Sequence, residues 1–215
     1  MLCAPFKCLA IPSLLALAAC GGGGGAGGGP SGGDTTQEFG SLAAVDGFIT
    51  YPDPSLLLPS VPETGKGVVV GDTYLEEQTD GFLRFLHPAI PSGATIVSAT
   101  LVVYQELVAG TPFADLGGFV AADHVSIGAY LGDPTAAMIQ PAFGVVSTDA
   151  GVGPRTIDVT AQVQLDVDAN RATSDFVLRF PTWTDVDSST DAVLFTDAEN
   201  FYGSGTPPTL LVTWR

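Results

Sequence analysis

The 215-residue chain predicts an all-β fold, an antiparallel β-sandwich, preceded by a signal peptide and a flexible Gly-rich linker. Three observations carry this. From Asp46 onward, short runs alternate apolar and polar side chains with period two, the pattern of a half-buried strand. Breakers containing Pro and Gly separate these runs at short intervals. Only Val159–Val167, and a shorter stretch at Thr135–Ile139, suit a helix. About nine short strands with frequent turn signals match two packed antiparallel sheets.

Residues 1–19 read as a lipoprotein signal peptide. Lys7 is the one cation of the leader, and the apolar run from Cys8 to Ala19 has signal-peptide length; a membrane-spanning helix needs about 20 residues. Leu17-Ala18-Ala19-Cys20 has the form of a lipobox, in which cleavage before Cys20 leaves a cysteine to carry acyl chains. The alternative is an ordinary secretory signal cut nearby, with a soluble product. Gly21, rather than Asp, follows the cysteine. By resemblance to Gram-negative sorting signals, that points to the outer membrane of the cell envelope, facing the periplasm or the surface.

Residues 20–44 comprise the lipidated cysteine and the linker. Ten glycines fall between Gly21 and Gly33, where no apolar side chain could drive packing. A flexible chain of this length spans roughly 25–30 Å in root-mean-square terms. Residues 45–215 form the sandwich domain. Val97, Ala99, Leu101 and Val103 share one face of a strand, and Phe176, Leu178 and Phe180, like Leu83 and Phe85, alternate in the same way. Gly47–Tyr51, Val68–Leu75, His124–Leu131, Phe143–Thr148, Ala192–Thr196 and Thr209–Trp214 are the other β-rich runs. Pro52-Asp53-Pro54, Pro91-Ser92-Gly93, Gly132-Asp133-Pro134 and Gly203–Pro208 are turns.

A net charge of −16 disfavours nucleic-acid partners, whose phosphates such a surface repels. The three cysteines are Cys3, Cys8 and Cys20, so cleavage leaves no disulfide and the core alone must hold the domain. With 46% hydrophobic and 14% charged residues, a well-filled core is expected.

Phe82-Leu83-Arg84-Phe85, continuing through Ile90-Pro91-Ser92-Gly93-Ala94-Thr95-Ile96 to Ser98-Ala99-Thr100-Leu101, carries a family resemblance. So do Ile157-Asp158-Val159-Thr160 with Val163, and Phe195-Thr196-Asp197-Ala198-Glu199 followed by Pro207-Pro208-Thr209-Leu210-Leu211-Val212-Thr213. Together these resemble the DNRLRE-type domains, jelly-roll modules grouped with carbohydrate-binding modules of exported bacterial and archaeal proteins. The chain departs from that pattern at Leu131–Pro141, which lacks a tryptophan, and at Asp197, where arginine is usual. The resemblance implies a jelly-roll accessory module. A non-catalytic module that binds polysaccharide is the favoured reading, and a structural or adhesive envelope protein without sugar binding is the alternative.

Sugar recognition needs aromatic faces with polar groups around them. Trp183, just past a strand, Tyr202 and Tyr104 are the aromatic candidates, with Tyr51 beside them. Trp183 also suits a lid on the core. Arg84 and Arg179 sit mid-strand, and each is either paired with a carboxylate such as Glu199 or Asp158 or available to an acidic polysaccharide. Asp185, Asp187, Ser189 and Asp191 put oxygen side chains at every second position, as a structural calcium loop would, although a solvated turn has the same spacing. Two imidazoles, His87 and His124, give no zinc set, and Asp123-His124 is the single start of a nucleophilic constellation.

Overall fold

The computed structural model describes residues 33–52, 63–127, 137–200, 203 and 205–215. The leader, Cys20, the glycine run as far as residue 32, and Tyr202 lie outside the described residues. In chain order the elements are β1 (Thr35–Gly40), β2 (Gly47–Tyr51), β3 (Glu63–Thr64), β4 (Val68–Asp72), β5 (Gln78–Leu86), β6 (Ile96–Ala109), α1 (Pro112–Asp115), β7 (Val120–Ser126), β8 (Ala137–Ser147), β9 (Gly153–Asp158), α2 (Thr160–Asp168), β10 (Thr173–Arg179), β11 (Ala192–Phe195) and β12 (Thr209–Trp214).

These strands make one curled antiparallel sheet whose two halves face each other, an all-β sandwich. One half runs β1-β12-β6-β11-β4, with β9 beside β6, and the other runs β5-β10-β7-β8, with β2 beside β5. β4 and β5 join the halves through the pairs Gly71↔Thr79 and Asp72↔Gln78. Across the sandwich, Leu42 N–H donates to the Arg84 carbonyl at 2.8 Å, next to a bridge between Ser41 and Phe85. At Gly81 the strands β5 and β4 come close. A Cβ there would sit 2.4 Å from Cγ1 of Val68, so no larger residue fits without displacing β4.

The core follows from the period-two pattern. Ala99, Leu101 and Val103 of β6, Leu210 and Val212 of β12, Leu83 and Phe85 of β5, and Phe176 and Leu178 of β10 all point inward and are buried. Trp214 belongs to this core too. α2 closes it with Val163 and Val167, spaced four apart on one helix face, and Val159 just before the first turn. Asp158 fixes that turn by accepting from the Thr160 amide at 2.9 Å and from its hydroxyl at 2.6 Å.

Two expectations change. Thr35–Gly40, assigned to the linker, is an edge strand that pairs with β12 from Thr35↔Trp214 to Gly40↔Thr209. Its composition hides it, since Phe39 alone of its residues is buried. That ring packs 6.3 Å from both Trp214 and His87. Strand structure among the described residues therefore begins at Thr35, ten residues ahead of the boundary drawn at residue 45. The second change is at Thr135–Ile139: Ala137–Ile139 lie in β8, paired with β7, and are strand rather than helix.

Candidate functional site

The half built on β5, β10 and β7 is buried on both faces. Phe82 of β5 lies opposite Val177 of β10, which lies opposite Asp123 of β7. Alternation turns these away from Leu83, Phe85 and Phe176, onto the outer face. There Ile49, Phe82, Val125, Ile127 and Val177 make a second apolar cluster with Tyr51 packed on it. Above this floor lies a cleft of about 560 Å³.

Aromatic rings wall the cleft: Tyr51, Phe119, Phe180 and Trp183. Trp183 and Tyr51 meet edge to face, with centroids 5.8 Å apart and planes at 61°. Trp183 is placed by what precedes it. Phe180 is buried against Phe113 at 5.5 Å, and the Thr182 amide donates to the Leu116 carbonyl at 3.1 Å. The chain leaving β10 is thus tied to α1, and the half-buried indole faces the cleft with its Nε1–H lacking an acceptor.

Polar groups gather at the base. Arg179 Nε lies 2.7 Å from Asp123, whose carboxylate is fully buried and also accepts from the Ala142 amide at 2.5 Å. That amide points inward because Ala142 sits at φ 41° in β8, where the register with β7 shifts. Asp80 accepts from Gln78 Nε2 at 2.6 Å. Burial pushes the Asp80 carboxyl up to about 7, with Asp123 adding to the effect and Gln78 and Arg179 opposing it. Burial, reinforced by the charge of Asp80, likewise pushes the Tyr51 phenol up to about 12. The cleft therefore offers stacking faces, a guanidinium, a phenol donor and the carboxyl of Asp80.

The two arginines separate cleanly. Arg179 is about one-third exposed and lines the cleft. Arg84 lies outside the cleft lining and is paired. Its guanidinium forks onto Asp175, Nε to Oδ1 at 2.7 Å and Nη2 to Oδ2 at 2.8 Å, and also donates to the Ile127 carbonyl. The partners are Asp175 and Asp123, neither of which is Glu199 or Asp158. Tyr104 is also removed from the site, since it lies on β6 in the other half with its ring against Gly205, where a Cβ would come within 2.5 Å of Cδ1.

His124 belongs to the core rather than to a nucleophilic site. Its Nε2 lies 3.0 and 3.1 Å from the two Asp166 oxygens, and Ser174 donates to Asp166 at 2.5 Å. His87 Nε2 meets the Ser174 hydroxyl at 3.1 Å, and burial lowers the His87 pKa. All four side chains are buried. The network joins α2 to β7 and β10.

Of the proposed calcium loop, the structure gathers half. Asp185 joins Asp72 and Glu76 in one group of carboxylates, and Asp115 and Asp191 in another. Asp187 belongs to neither: it accepts from the Ser189 amide at 2.7 Å and closes a turn. Burial and neighbouring carboxylates raise both Asp72 and Asp185 above the ordinary carboxylate range.

Gln78, Asp80 and Asp123 are the site residues that sequence reasoning missed as binding groups. A signal existed, for each acid interrupts an apolar strand, Asp123 following Val120-Ala121-Ala122 and Asp80 preceding Gly81-Phe82-Leu83. Compared with known proteins, the chain matches no family model and no curated protein sequence.

Proposed function

We propose that this chain is a membrane-anchored lipoprotein of the cell envelope whose sandwich binds a glycan, without cleaving it, in the cleft between Tyr51, Trp183 and Arg179. The edge-to-face pair of Trp183 and Tyr51 beside an arginine, over an apolar floor, is the observation that supports it most. A pyranose presents an apolar face to a ring and hydroxyls at its edge. The indole takes the face, and Arg179, Asp80 and Gln78 take the hydroxyls.

Charge selects among glycans. Asp123 already balances Arg179, Arg84 is spent on Asp175, and the chain carries −16 overall. The cleft has no surplus positive charge for a polyanion, so a neutral polysaccharide is the better fit. Asp123 is wholly buried and held by two partners. It orients Arg179 and has no exposed oxygen with which to attack an anomeric carbon.

Affinity electrophoresis of the full-length protein through gels of neutral and uronic polysaccharides tests the reading. Retardation by a neutral polysaccharide, weakened at least tenfold in Trp183→Ala and unchanged in Tyr104→Ala, is expected. Retardation by polyuronates alone, or equal mobility of wild type and Trp183→Ala, overturns it. The anchor has a separate test, since a palmitate analogue should label wild type and leave Cys20→Ala unlabelled.

A further inference from the structure

The acidic cluster at the end of the β4–β5 turn holds a feature that its own hydrogen bonds leave unexplained. One carboxylate oxygen from each of Asp72, Glu76 and Asp185 lies within 4.8 Å of those of the other two. Asp72 is 2% exposed, and one of its oxygens accepts from the Asp191 amide at 3.1 Å. Its other oxygen, Oδ2, is shut off from solvent with no donor. The neighbouring Thr184 hydroxyl has its proton on Glu76. Among the described residues, no ion pair joins any of the three to a Lys, Arg or His. A buried carboxylate with one oxygen lacking a donor, grouped with two more carboxylates, lacks a positive charge.

We infer that Asp72, Glu76 and Asp185 bind one calcium ion, which ties the β4–β5 turn to the segment that follows β10. The donors are all carboxylate oxygens, with no imidazole or thiol among them, which selects a hard cation. Calcium–oxygen distances of about 2.4 Å put oxygens on opposite sides of the ion roughly 5 Å apart, so oxygens within 4.8 Å of one another can share one such ion. Magnesium, with its shorter bonds and strict octahedron, suits a set drawn from a turn and a loop less well. The ligands differ from a calcium loop read along one stretch of sequence: Asp72 ends β4, Glu76 lies in the β4–β5 turn, Asp185 comes from the loop after β10, and Asp187 stands outside.

Isothermal titration calorimetry on the full-length protein, stripped with a chelator, tests this. One calcium per chain is expected, with magnesium at least tenfold weaker. Calcium at a hundred times its Kd should raise the thermal midpoint by roughly 5–10 °C. Glu76→Gln, which alters this triad and not the one containing Asp115 and Asp191, should weaken calcium at least tenfold, as should Asp185→Asn. Asp187→Asn should change nothing. Circular dichroism identifies any variant that fails to fold, and the other then decides. No calcium heat with equal midpoints, wild-type affinity in folded Glu76→Gln, or magnesium binding as tightly as calcium overturns the inference.

Discussion

Asp80→Asn isolates the energetic burden of the cleft. The carboxyl is 8% exposed and titrates near 7 in the folded protein, against an ordinary value of 3.8. Between those two pH values the folded state keeps a proton that the unfolded state has released. Stability from this group is therefore full below pH 3.8 and falls as pH rises towards 7. Three pH units at 1.36 kcal/mol each make the loss about 4 kcal/mol. Asparagine keeps the acceptor for Gln78 Nε2 and has nothing to ionise. Urea unfolding at pH 4 and pH 8, followed by circular dichroism, should show Asp80→Asn gaining about 4 kcal/mol relative to wild type between the two. In thermal midpoint this is roughly 8–16 °C for a domain of this size. Asp46, also buried and raised to about 7, is common to both proteins and cancels in the comparison. Parallel pH–stability curves for the two proteins would refute the reasoning.

Asp175→Asn leaves the Arg84 guanidinium without its fork, and urea unfolding should register a loss of about 3–5 kcal/mol, the effect of breaking a buried pair. Phe39→Ala should destabilise by about 3 kcal/mol or more on the same assay, because the ring packs on Trp214 and His87; no change would return Thr35–Gly40 to the linker. His87 is held neutral by burial, with its folded pKa below the ordinary 6.5. Its contribution is present above pH 6.5 and lost as pH falls below that value, so His87→Gln should flatten the acid limb of the stability curve relative to wild type.

The fold was legible wherever one face of a strand meets water and the other meets the core, as in β6, whose alternation from Ala99 to Val103 reads directly as strand, whereas Val97, placed on the same face by that pattern, is exposed where the register with β12 shifts. β1 was not, because an edge strand with a single buried residue carries almost no periodic signal. The site was half legible for a related reason. Trp183 and Arg179 stand out by residue type, whereas Asp80 and Asp123 gain meaning from the register that sets β5, β10 and β7 side by side. Arg84 and Arg179 look alike in sequence, each following a buried apolar residue in a strand. Asp175 lies directly opposite Arg84 in the ladder, and that one cross-strand pair holds the Arg84 guanidinium.

The segment from Phe180 to Asp191 explains why composition there reads as a plain solvated turn. Among its residues only Phe180 and Asp191 are buried, and the polar side chains between them hold the path without strand pairing. Thr184 donates to Glu76, the Ser188 amide donates to the other Glu76 oxygen, and the Asp191 amide donates to Asp72. Trp183 thus stands between an apolar anchor on one side and a carboxylate-rich anchor on the other. Phe180 fixes where the indole begins, and Glu76 with Asp72 fixes where the chain goes next. Loosening the second anchor should leave the core unaffected and let the indole swing, so Glu76→Gln should weaken glycan retention more than it lowers the thermal midpoint measured in chelator. Wild-type retention in that variant would show that Phe180 alone orients the ring.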